Sequence, residues 1–492
     1  MKSALALLPI FHFGFLCLLC GPSSAAEARR PNIVFILADD LGVGSVNCYH
    51  AATNLVHTPN IDRLAREGRR FTDANTPSSV CSPTRYAVLT GRYCWRTALK
   101  HEVLAVGDPL WIETNRLTVA SLLQRQGYHT AAVGKWHLGY GPTNPVNYAA
   151  TLRPGPRDVG FDYHFGVPSN HGDVTGIFVD NEGVLGLRST NLAPFGKSIY
   201  RGQPFMGLDA PQRQDKLVMD VLTDQAVSWL EKQNARAPFF LYFTPAAVHQ
   251  PITPSARTKG SSGCGPYGDW IHELDHSVGR ILHALDRLKL ADNTLVIFTS
   301  DNGGVLLTDG SAPEAKAYEA GMRVSGPWRG RKHSIYEGGF RVPYLARWPG
   351  KIPAGTVCTE TINLVDTLAT TAALVGANLP HGQAAEDSFN VLPALLGQKT
   401  DQPLRPDMIV HSADGVFAIR RGQWKWIEGK PSKPNPPKGR SAEFKPQLYN
   451  LTDDPAETQD ASAQHPDVVT RLRAVLDRYR SQGNSRDKLS NP

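Results

Sequence analysis

Several segments of this chain place side chains that can do chemistry directly after a short run of apolar, β-forming residues. The runs at residues 32–38, 130–134, 238–244 and 294–300 are predicted strands. Because the carboxyl ends of parallel strands in an open α/β sheet meet at one edge, we expect the polar residues that follow them to converge there. Those residues are Asp39, Asp40, Lys135, His137, His249, Asp301 and Asn302.

Asp39 and Asp40 are adjacent carboxylates at the exit of a strand that is predicted to be buried. They repel each other beside a medium of low dielectric constant, so a cation or a basic partner must neutralise them. Hard oxygen ligands of this kind suit Ca²⁺ or Mg²⁺. A dinucleotide-binding loop at residues 41–44 is rejected, because the third glycine is missing and two carboxylates would repel a pyrophosphate.

Cys81 lies where an extended run gives way to a predicted helix, in the segment Cys-Ser-Pro-Thr-Arg at residues 81–85. Backbone N–H groups at the start of a helix favour negative charge, so chemistry at Cys81 would favour an anionic substrate or intermediate. The alternative is a small buried cysteine that packs under the helix.

The motif around Cys81 resembles the signature of the type I sulfatases, in which this cysteine is oxidised to formylglycine, the catalytic aldehyde. Cys81, Pro83 and Arg85 match the positions that the maturing enzyme recognises, and Leu-Thr-Gly-Arg follows at residues 89–92. Thr84 stands where the family more often has Ser or Ala. Lys332, five residues before Glu-Gly-Gly, extends the resemblance, which covers nearly all of the mature chain.

The resemblance implies site residues in three groups. The calcium ligands are Asp39, Asp40, Asp301 and Asn302, together with residue 81. The groups that hold the formylglycine and the sulfate are Arg85 and Lys135, and the rest of the sulfate pocket is His137, His249 and Lys332. Asn170 lies near a place where many relatives have Ser before His. Taken without the resemblance, His137 is typical of a buried structural histidine.

The implied activity is hydrolysis of sulfate esters, either aryl sulfates or sulfated carbohydrates. A hydrated aldehyde offers two hydroxyls on one carbon, of which one attacks sulfur and the other later expels sulfate as the carbonyl re-forms. Asp301 would accept the proton of the attacking hydroxyl, His249 with Lys332 would protonate the departing alcohol, and His137 would deprotonate the second hydroxyl. Two alternatives stay open: a phosphate or phosphonate monoester hydrolase of the same superfold, and a catalytically dead protein that binds polyanions.

Apolar strands separated by helices predict an α/β fold. The resemblance implies an alkaline-phosphatase-like large mixed sheet flanked by helices, in a catalytic domain at residues 30–400. Beyond residue 400, short antiparallel strands are predicted at 407–412, 416–420 and 424–427. An amphipathic helix follows, with Val468, Leu472, Val475, Leu476 and Tyr479 on its apolar face. Residues 401–492 are therefore predicted to form a smaller sheet-plus-helix domain.

Residues 1–26 are typical of a signal peptide, with Lys2, an apolar run and small residues at a plausible cleavage site. A retained membrane anchor is disfavoured because Pro9 and His12 interrupt the run, and a lipoprotein because a bulky residue precedes Cys20. The mature protein is therefore expected outside the cytoplasm, in a periplasmic, extracellular or lumenal compartment, without a stable membrane span.

The formal net charge of +7 falls to +6 without Lys2, since residues 1–26 contain no acidic residue. This charge favours encounters with polyanions such as a sulfated glycan, although a solvated basic face is an equal alternative. A sulfated small molecule or glycan and a sulfatase-maturing enzyme are the expected partners, and nucleic acid is not. Besides Cys81, the mature chain keeps Cys48, Cys94, Cys264 and Cys358, which can form two disulfides or remain free thiols.

Overall fold

The structure is a computed structural model that describes residue 1 and residues 30–49, 55–200, 203–234, 236–380, 382–430 and 444–486. The predicted signal peptide therefore lies outside the described residues, apart from Met1. From Pro31 onward the chain forms one compact unit. In the described part of the chain, no helix is both long and apolar enough to cross a bilayer. Cys48, Cys81, Cys94, Cys264 and Cys358 are all free thiols.

The strands of the described residues, in chain order, are β1 Asn32–Ala38, β2 Arg69–Phe71, β3 Ala74–Asn75, β4 His129–Lys135, β5 Tyr163–Val167, β6 Val179–Asp180, β7 Gly183–Val184, β8 Ser189–Tyr200, β9 Gln203–Asp209, β10 Phe239–Thr244, β11 Thr294–Ser300, β12 Tyr344–Arg347, β13 Thr356–Cys358, β14 Ile362–Asn363, β15 Met408–His411, β16 Phe417–Arg421, β17 Trp424–Ile427 and β18 Gln447–Asn450. The α-helices are α1 Pro59–Glu67, α2 Cys81–Thr90, α3 Val119–Arg125, α4 Val218–Glu231, α5 Pro266–Arg287, α6 Pro313–Glu319, α7 Thr367–Val375, α8 Leu392–Leu395 and α9 Pro466–Gln482.

Ten of these strands form one mixed sheet in the order β13-β2-β12-β11-β1-β10-β4-β5-β6-β7. The centre of the sheet, β11-β1-β10-β4-β5, is parallel, whereas β12, β6 and β7 pair antiparallel to their neighbours. Ala38 at the end of β1 lies opposite Ser300 at the end of β11. The four strands predicted from the sequence are therefore neighbours, and their carboxyl ends share one edge.

Both faces of β1 are buried, which explains its unbroken apolar sequence. Ile33, Phe35 and Leu37 belong to one hydrophobic cluster, which also contains residues of α3 and α7. The alternate residues Val34 and Ile36 belong to a second cluster, formed with α4 and α5. Helices on both faces of a largely parallel sheet confirm the predicted α/β class.

The three predicted C-terminal strands and β18, which was not predicted, form a four-stranded antiparallel sheet in the order β15-β16-β17-β18. The apolar face predicted for α9 packs on this sheet in a cluster that also contains Ala87 of α2. The other face of the sheet packs against Ile335 and Phe340, which flank the Glu-Gly-Gly segment. The small sheet thus contacts both the helix that begins at Cys81 and the segment that carries Lys332. The domain boundary near residue 400 stays a prediction.

Gly134 bends β4 just before Lys135 and has a positive φ of 126°. A Cβ at this position would lie 1.9 Å from the carbonyl oxygen of Thr244 on the neighbouring strand. We expect Gly134→Ala to lower the free energy of unfolding by about 2 to 4 kcal/mol, because it combines this overlap with backbone strain.

Urea denaturation of Gly134→Ala beside Gly127→Ala measures the effect. Gly127 also has a positive φ, 81°, but a Cβ added there would meet no other part of the chain within 4 Å. Its substitution carries only the left-handed backbone penalty of about 1 to 2 kcal/mol. Equal losses for the two variants would contradict the close approach at Gly134.

Candidate active site

Cys81 is the first residue of α2, as the sequence predicts, and it is completely buried at the carboxyl edge of the sheet. Its Sγ lies 3.8 Å from Asp39 Oδ1 and 4.0 Å from Asp40 Oδ1. Burial raises the pKa of the Cys81 thiol to about 12, although Lys135 and Lys332 act in the opposite direction. The thiol is therefore protonated at neutral pH, which makes it a poor nucleophile.

Asp39 is held by two cations from different elements. Lys135 Nζ donates to Asp39 Oδ2 over 2.7 Å, and Arg85 Nη2 lies 3.5 Å from Asp39 Oδ1. Burial by itself raises the pKa of Asp39, but Lys135 and the other nearby cationic groups outweigh it, so the pKa is lowered to about 2. The carboxylate is therefore ionised and paired inside the protein.

Asp40 joins three further segments of the chain. Lys332 Nζ lies 2.7 Å from Asp40 Oδ1, Asn302 Nδ2 donates to the same oxygen over 2.8 Å, and His249 Nε2 is 3.8 Å from Oδ2. Asp40 has a left-handed backbone with φ 61°. Burial raises its pKa, but Lys332 and His249 outweigh this effect and lower it below the usual range.

Asp301 is buried, and one of its carboxylate oxygens is paired with the guanidinium group of Arg85. Arg85 Nε and Nη2 both donate to Asp301 Oδ2, over 3.0 and 2.7 Å. The other oxygen, Oδ1, accepts the backbone N–H of Asp40 over 3.1 Å. Arg85 Nη1 in turn donates to the carbonyl oxygen of Lys135. These bonds connect the ends of β1, β4 and β11 through one side chain of α2.

Three buried carboxylates, Asp39, Asp40 and Asp301, therefore face three basic side chains. The cluster is close to neutral without a metal. Adding a divalent cation leaves two positive charges in a buried site. That balance favours an anion with several oxygens over a neutral substrate.

The donor atoms fit a hard divalent cation. Ligand-type atoms of Asp39, Asp40, Cys81 and His249 all lie within 4.8 Å of one another. Asn302 Oδ1 is a buried acceptor without a hydrogen-bond donor. Buried acceptors of this kind are normally satisfied, so a cation or a water explains it. Carboxylate and amide oxygens are the ligands that Ca²⁺ prefers.

His137 lies just beyond Lys135 with a left-handed backbone, φ 54°. Its Nε2 lies 2.9 Å from the carbonyl oxygen of Leu104, and an N–H there must donate because a carbonyl only accepts. Nδ1 is buried without a partner. Burial, followed by Lys135 and Arg85, holds the pKa of His137 well below its usual value. The imidazole is neutral and keeps Nδ1 as a proton acceptor.

His249 is more accessible than the rest of the cluster, with 19% of its side chain exposed. Its Nδ1 lies 2.6 Å from the carbonyl oxygen of Gln250, which leaves Nε2 facing Asp40. Gln250 Nε2 donates to Glu314 Oε1 over 2.6 Å, and Trp270 Nε1 donates to the His249 carbonyl oxygen over 3.2 Å. The residues that support His249 carry no recognisable spacing signal in the sequence. The same is true of Leu104, whose carbonyl oxygen contacts His137.

The segment around Lys332 is anchored from two sides. The Lys332 N–H donates to the carbonyl oxygen of Gly304 just after β11, over 2.9 Å. Farther along, Glu337 accepts a hydrogen bond from Lys425 Nζ of β17, and the same ammonium group donates to Glu457 over 2.7 Å. The small C-terminal sheet thereby fixes the segment that delivers Lys332.

The structure thus brings together all ten predicted site residues around the end of the sheet. Asn170, by contrast, directs its Oδ1 to the N–H of Gly172 in its own loop, over 3.0 Å.

Comparison with known proteins matches this chain to one family model and to relatives that cover most of its length. The family model described as Sulfatase matches residues 31–377. An N-acetylgalactosamine-6-O-sulfatase of Bacteroides thetaiotaomicron is 34% identical over 98% of this chain and 100% of its own length. Human arylsulfatase A is 35% identical over 93% of this chain and 89% of its own length.

A solved structure gives the same picture for the fold. It is described as BT33336S-sulf, from work on the metabolism of multiple glycosaminoglycans by Bacteroides thetaiotaomicron. It matches with a TM-score of 0.83 and 34% identity, covering 92% of this chain and 100% of that chain. The predicted alkaline-phosphatase-like architecture, with its large mixed sheet and small antiparallel sheet, is confirmed.

Removing the guanidinium of Arg85 tests the charge balance of the cluster. We expect Arg85→Met to lower the free energy of unfolding by about 3 to 5 kcal/mol, because it leaves Asp301 charged and buried without its partner. The double variant Arg85→Met/Asp301→Asn is expected to recover part of this loss. The measurement is the urea-unfolding midpoint of the metal-free protein.

Arg157→Met is the matched control, because Arg157 pairs with Glu182 at the protein surface over 2.8 Å. A pair of that kind contributes less than about 1 kcal/mol. Arg85→Met unfolding at the same urea concentration as this control would show that the Asp301 pair does not carry the expected energy.

Proposed function

The chain belongs to the sulfatase family and is a sulfuric ester hydrolase, and we propose that its reaction centre is residue 81, as formylglycine made from Cys81. The observation that carries the proposal is the buried cluster in which Cys81 lies beside Asp39 and Asp40. Burial raises the pKa of the Cys81 thiol to about 12, so the unconverted thiol would be a poor nucleophile at neutral pH. Formylglycine supplies a hydrated aldehyde, and its hydroxyl is the nucleophile for sulfur.

We assign the metal to Asp39, Asp40, Asp301 and Asn302, with residue 81 completing the set. The buried, unpartnered Asn302 Oδ1 and the three buried carboxylates support this assignment. Bound by these residues, calcium would supply positive charge beside the sulfate.

We assign binding and orientation of the sulfate to the basic side chains of the cluster. Lys135 is paired with Asp39 and Lys332 with Asp40, and both carboxylates lie beside residue 81. Both ammonium groups are therefore close enough to residue 81 to attract an oxyanion bound there. Arg85 stays fixed by Asp301 and aligns the start of α2 with the sheet. Preorganised charges of this kind stabilise a transition state without reorganising during the reaction.

Proton transfers are assigned to three side chains. Asp301 accepts the proton of the attacking hydroxyl. His249 donates from Nε2 to the departing alcohol with the help of Lys332, and its partial exposure suits a place on the leaving-group side. His137 accepts the proton that accompanies sulfate release, because its Nδ1 is an unpartnered acceptor on a neutral ring.

The substrate that we propose is a sulfated carbohydrate, with small aryl sulfates as alternative substrates. The name of the Bacteroides relative, an N-acetylgalactosamine-6-O-sulfatase, supports the carbohydrate class. We further propose that the protein is exported, that residues 1–26 are removed, and that a sulfatase-maturing enzyme converts Cys81. The basic net charge is consistent with an anionic polymer as the encounter partner.

Steady-state kinetics on 4-nitrophenyl sulfate and 4-nitrophenyl phosphate test the activity. We expect a higher kcat/KM on the sulfate, and Cys81→Ala should lower kcat by at least about a thousandfold because the nucleophile is lost. Cys94→Ala removes another buried thiol, and it is expected to retain the wild-type kcat. A preference for the phosphate ester would overturn the assignment as a sulfatase.

Calcium binding is measured without turnover by thermal unfolding. Ca²⁺ at about 100 times its dissociation constant should stabilise the folded chain by about 2.7 kcal/mol, and chelation should reverse the shift. Asp40→Asn is expected to lose most of the shift. Asp224→Asn is the control, because Asp224 pairs with Arg280 at the surface. An equal calcium shift in Asp40→Asn and Asp224→Asn would contradict the metal site.

A further inference from the structure

His333, the residue after Lys332, has an unusual backbone conformation. Its φ of 79° lies in the left-handed region that favours glycine. Asp40 and His137 of the cluster share this feature, with φ of 61° and 54°. A non-glycine residue keeps such a backbone only when the surrounding structure imposes it, and such residues concentrate at functional sites.

The backbone of His333 is fixed between two parts of the chain. Its N–H donates to the carbonyl oxygen of Ser79 over 3.0 Å, two residues before Cys81. Its carbonyl oxygen accepts from the N–H of Ala413 over 3.2 Å, in the turn between β15 and β16. These hydrogen bonds involve only main-chain atoms, so a glycine could form them equally well. They therefore give no reason for a histidine side chain at this position.

The side chain of His333 is exposed, unlike that of Lys332. Partial burial and the neighbouring Lys332 lower the pKa of His333, whereas Asp40 and Asp414 raise it, so the ring lies within electrostatic reach of the cluster. A lowered pKa leaves the ring neutral at pH 7, with one donor and one acceptor. A carbohydrate hydroxyl can accept a hydrogen bond from the imidazole N–H or donate one to the unprotonated nitrogen.

A second histidine, His101, lies close to the turn that contacts His333. The ring of His101 lies against Gly415, because a Cβ added to Gly415 would meet His101 Nδ1 at 2.7 Å. Gly415 belongs to the same turn as Ala413, whose N–H donates to the His333 carbonyl oxygen. His101 and the exposed Asp414 therefore lie near the segment that carries His333, and both offer groups suited to sugar hydroxyls.

We propose that His333 is a specificity-determining residue that hydrogen-bonds a hydroxyl of the sugar carrying the sulfate ester. The proposal rests on the proposed function, because it concerns the alcohol part of the substrate of that same site. His333 is exposed and has a left-handed backbone, while its neighbour Lys332 stays buried against Asp40.

The test compares wild type, His333→Gly and His333→Asn on N-acetylgalactosamine 6-sulfate and on 4-nitrophenyl sulfate. For His333→Gly we expect kcat/KM on the sugar sulfate to fall about tenfold more than on the aryl sulfate, mainly through KM, because one substrate hydrogen bond is lost. His333→Asn should restore part of the loss, since Asn tolerates the left-handed backbone and carries a donor and an acceptor.

Lys289→Gly is the matched control, because Lys289 has φ 55°, is exposed and precedes β11 at the opposite end of the sheet. Both glycine variants are expected to unfold at temperatures no lower than wild type, but Lys289→Gly should keep the wild-type kcat/KM on both substrates. Equal losses on the two substrates, or no loss on the sugar, would overturn the role of His333. Wild-type protein with formylglycine that turns over neither sulfate ester would instead refute the proposed function.

Discussion

The pairing of three buried carboxylates with three cations is the constraint on which the rest of the structure depends. Asp39 and Asp40 directly follow β1 and Asp301 directly follows β11, where the low dielectric makes an unpaired charge very costly. Their partners come from elsewhere: Arg85 from α2, Lys135 from β4 and Lys332 from the segment after α6. Forming the cluster therefore requires the whole sheet edge to be assembled.

The same constraint gives the small C-terminal sheet a role in the site. Lys332 must reach Asp40, and its segment is held by a second buried charge cluster, in which Lys425 of β17 joins Glu337 and Glu457. The hydrophobic contact of the small sheet with α2 fixes the helix that begins at Cys81. Two charge clusters and one apolar contact thus link segments that are far apart in sequence.

Much of this arrangement could be predicted from the sequence. β1, β11 and β17 have the predicted bounds, since fully buried strands are continuous apolar runs that are easily recognised. The strands β2, β3, β5 to β9, β12 to β14 and β18 were not predicted. Most of these are only two to five residues long, and their pairing is decided by tertiary neighbours rather than by a local pattern.

Within the site, the residue types and their convergence followed from strand ends and from the Cys81 motif. The pairing of each carboxylate with its cation could not be predicted from the sequence. Whether Arg85 pairs with Asp301, or Lys332 with Asp40, depends on distances that only the folded chain defines. The support of His249 by Glu314 through Gln250, and the left-handed backbone of His333, likewise have no local sequence signal.

The most direct test of the central claim is mass spectrometry of the tryptic peptide at residues 71–85, taken from active enzyme made in its natural host. The account predicts that residue 81 is formylglycine, so the peptide should be lighter by the difference between a CH₂SH and a CHO group. Active enzyme whose peptide carries only the Cys81 thiol would contradict it.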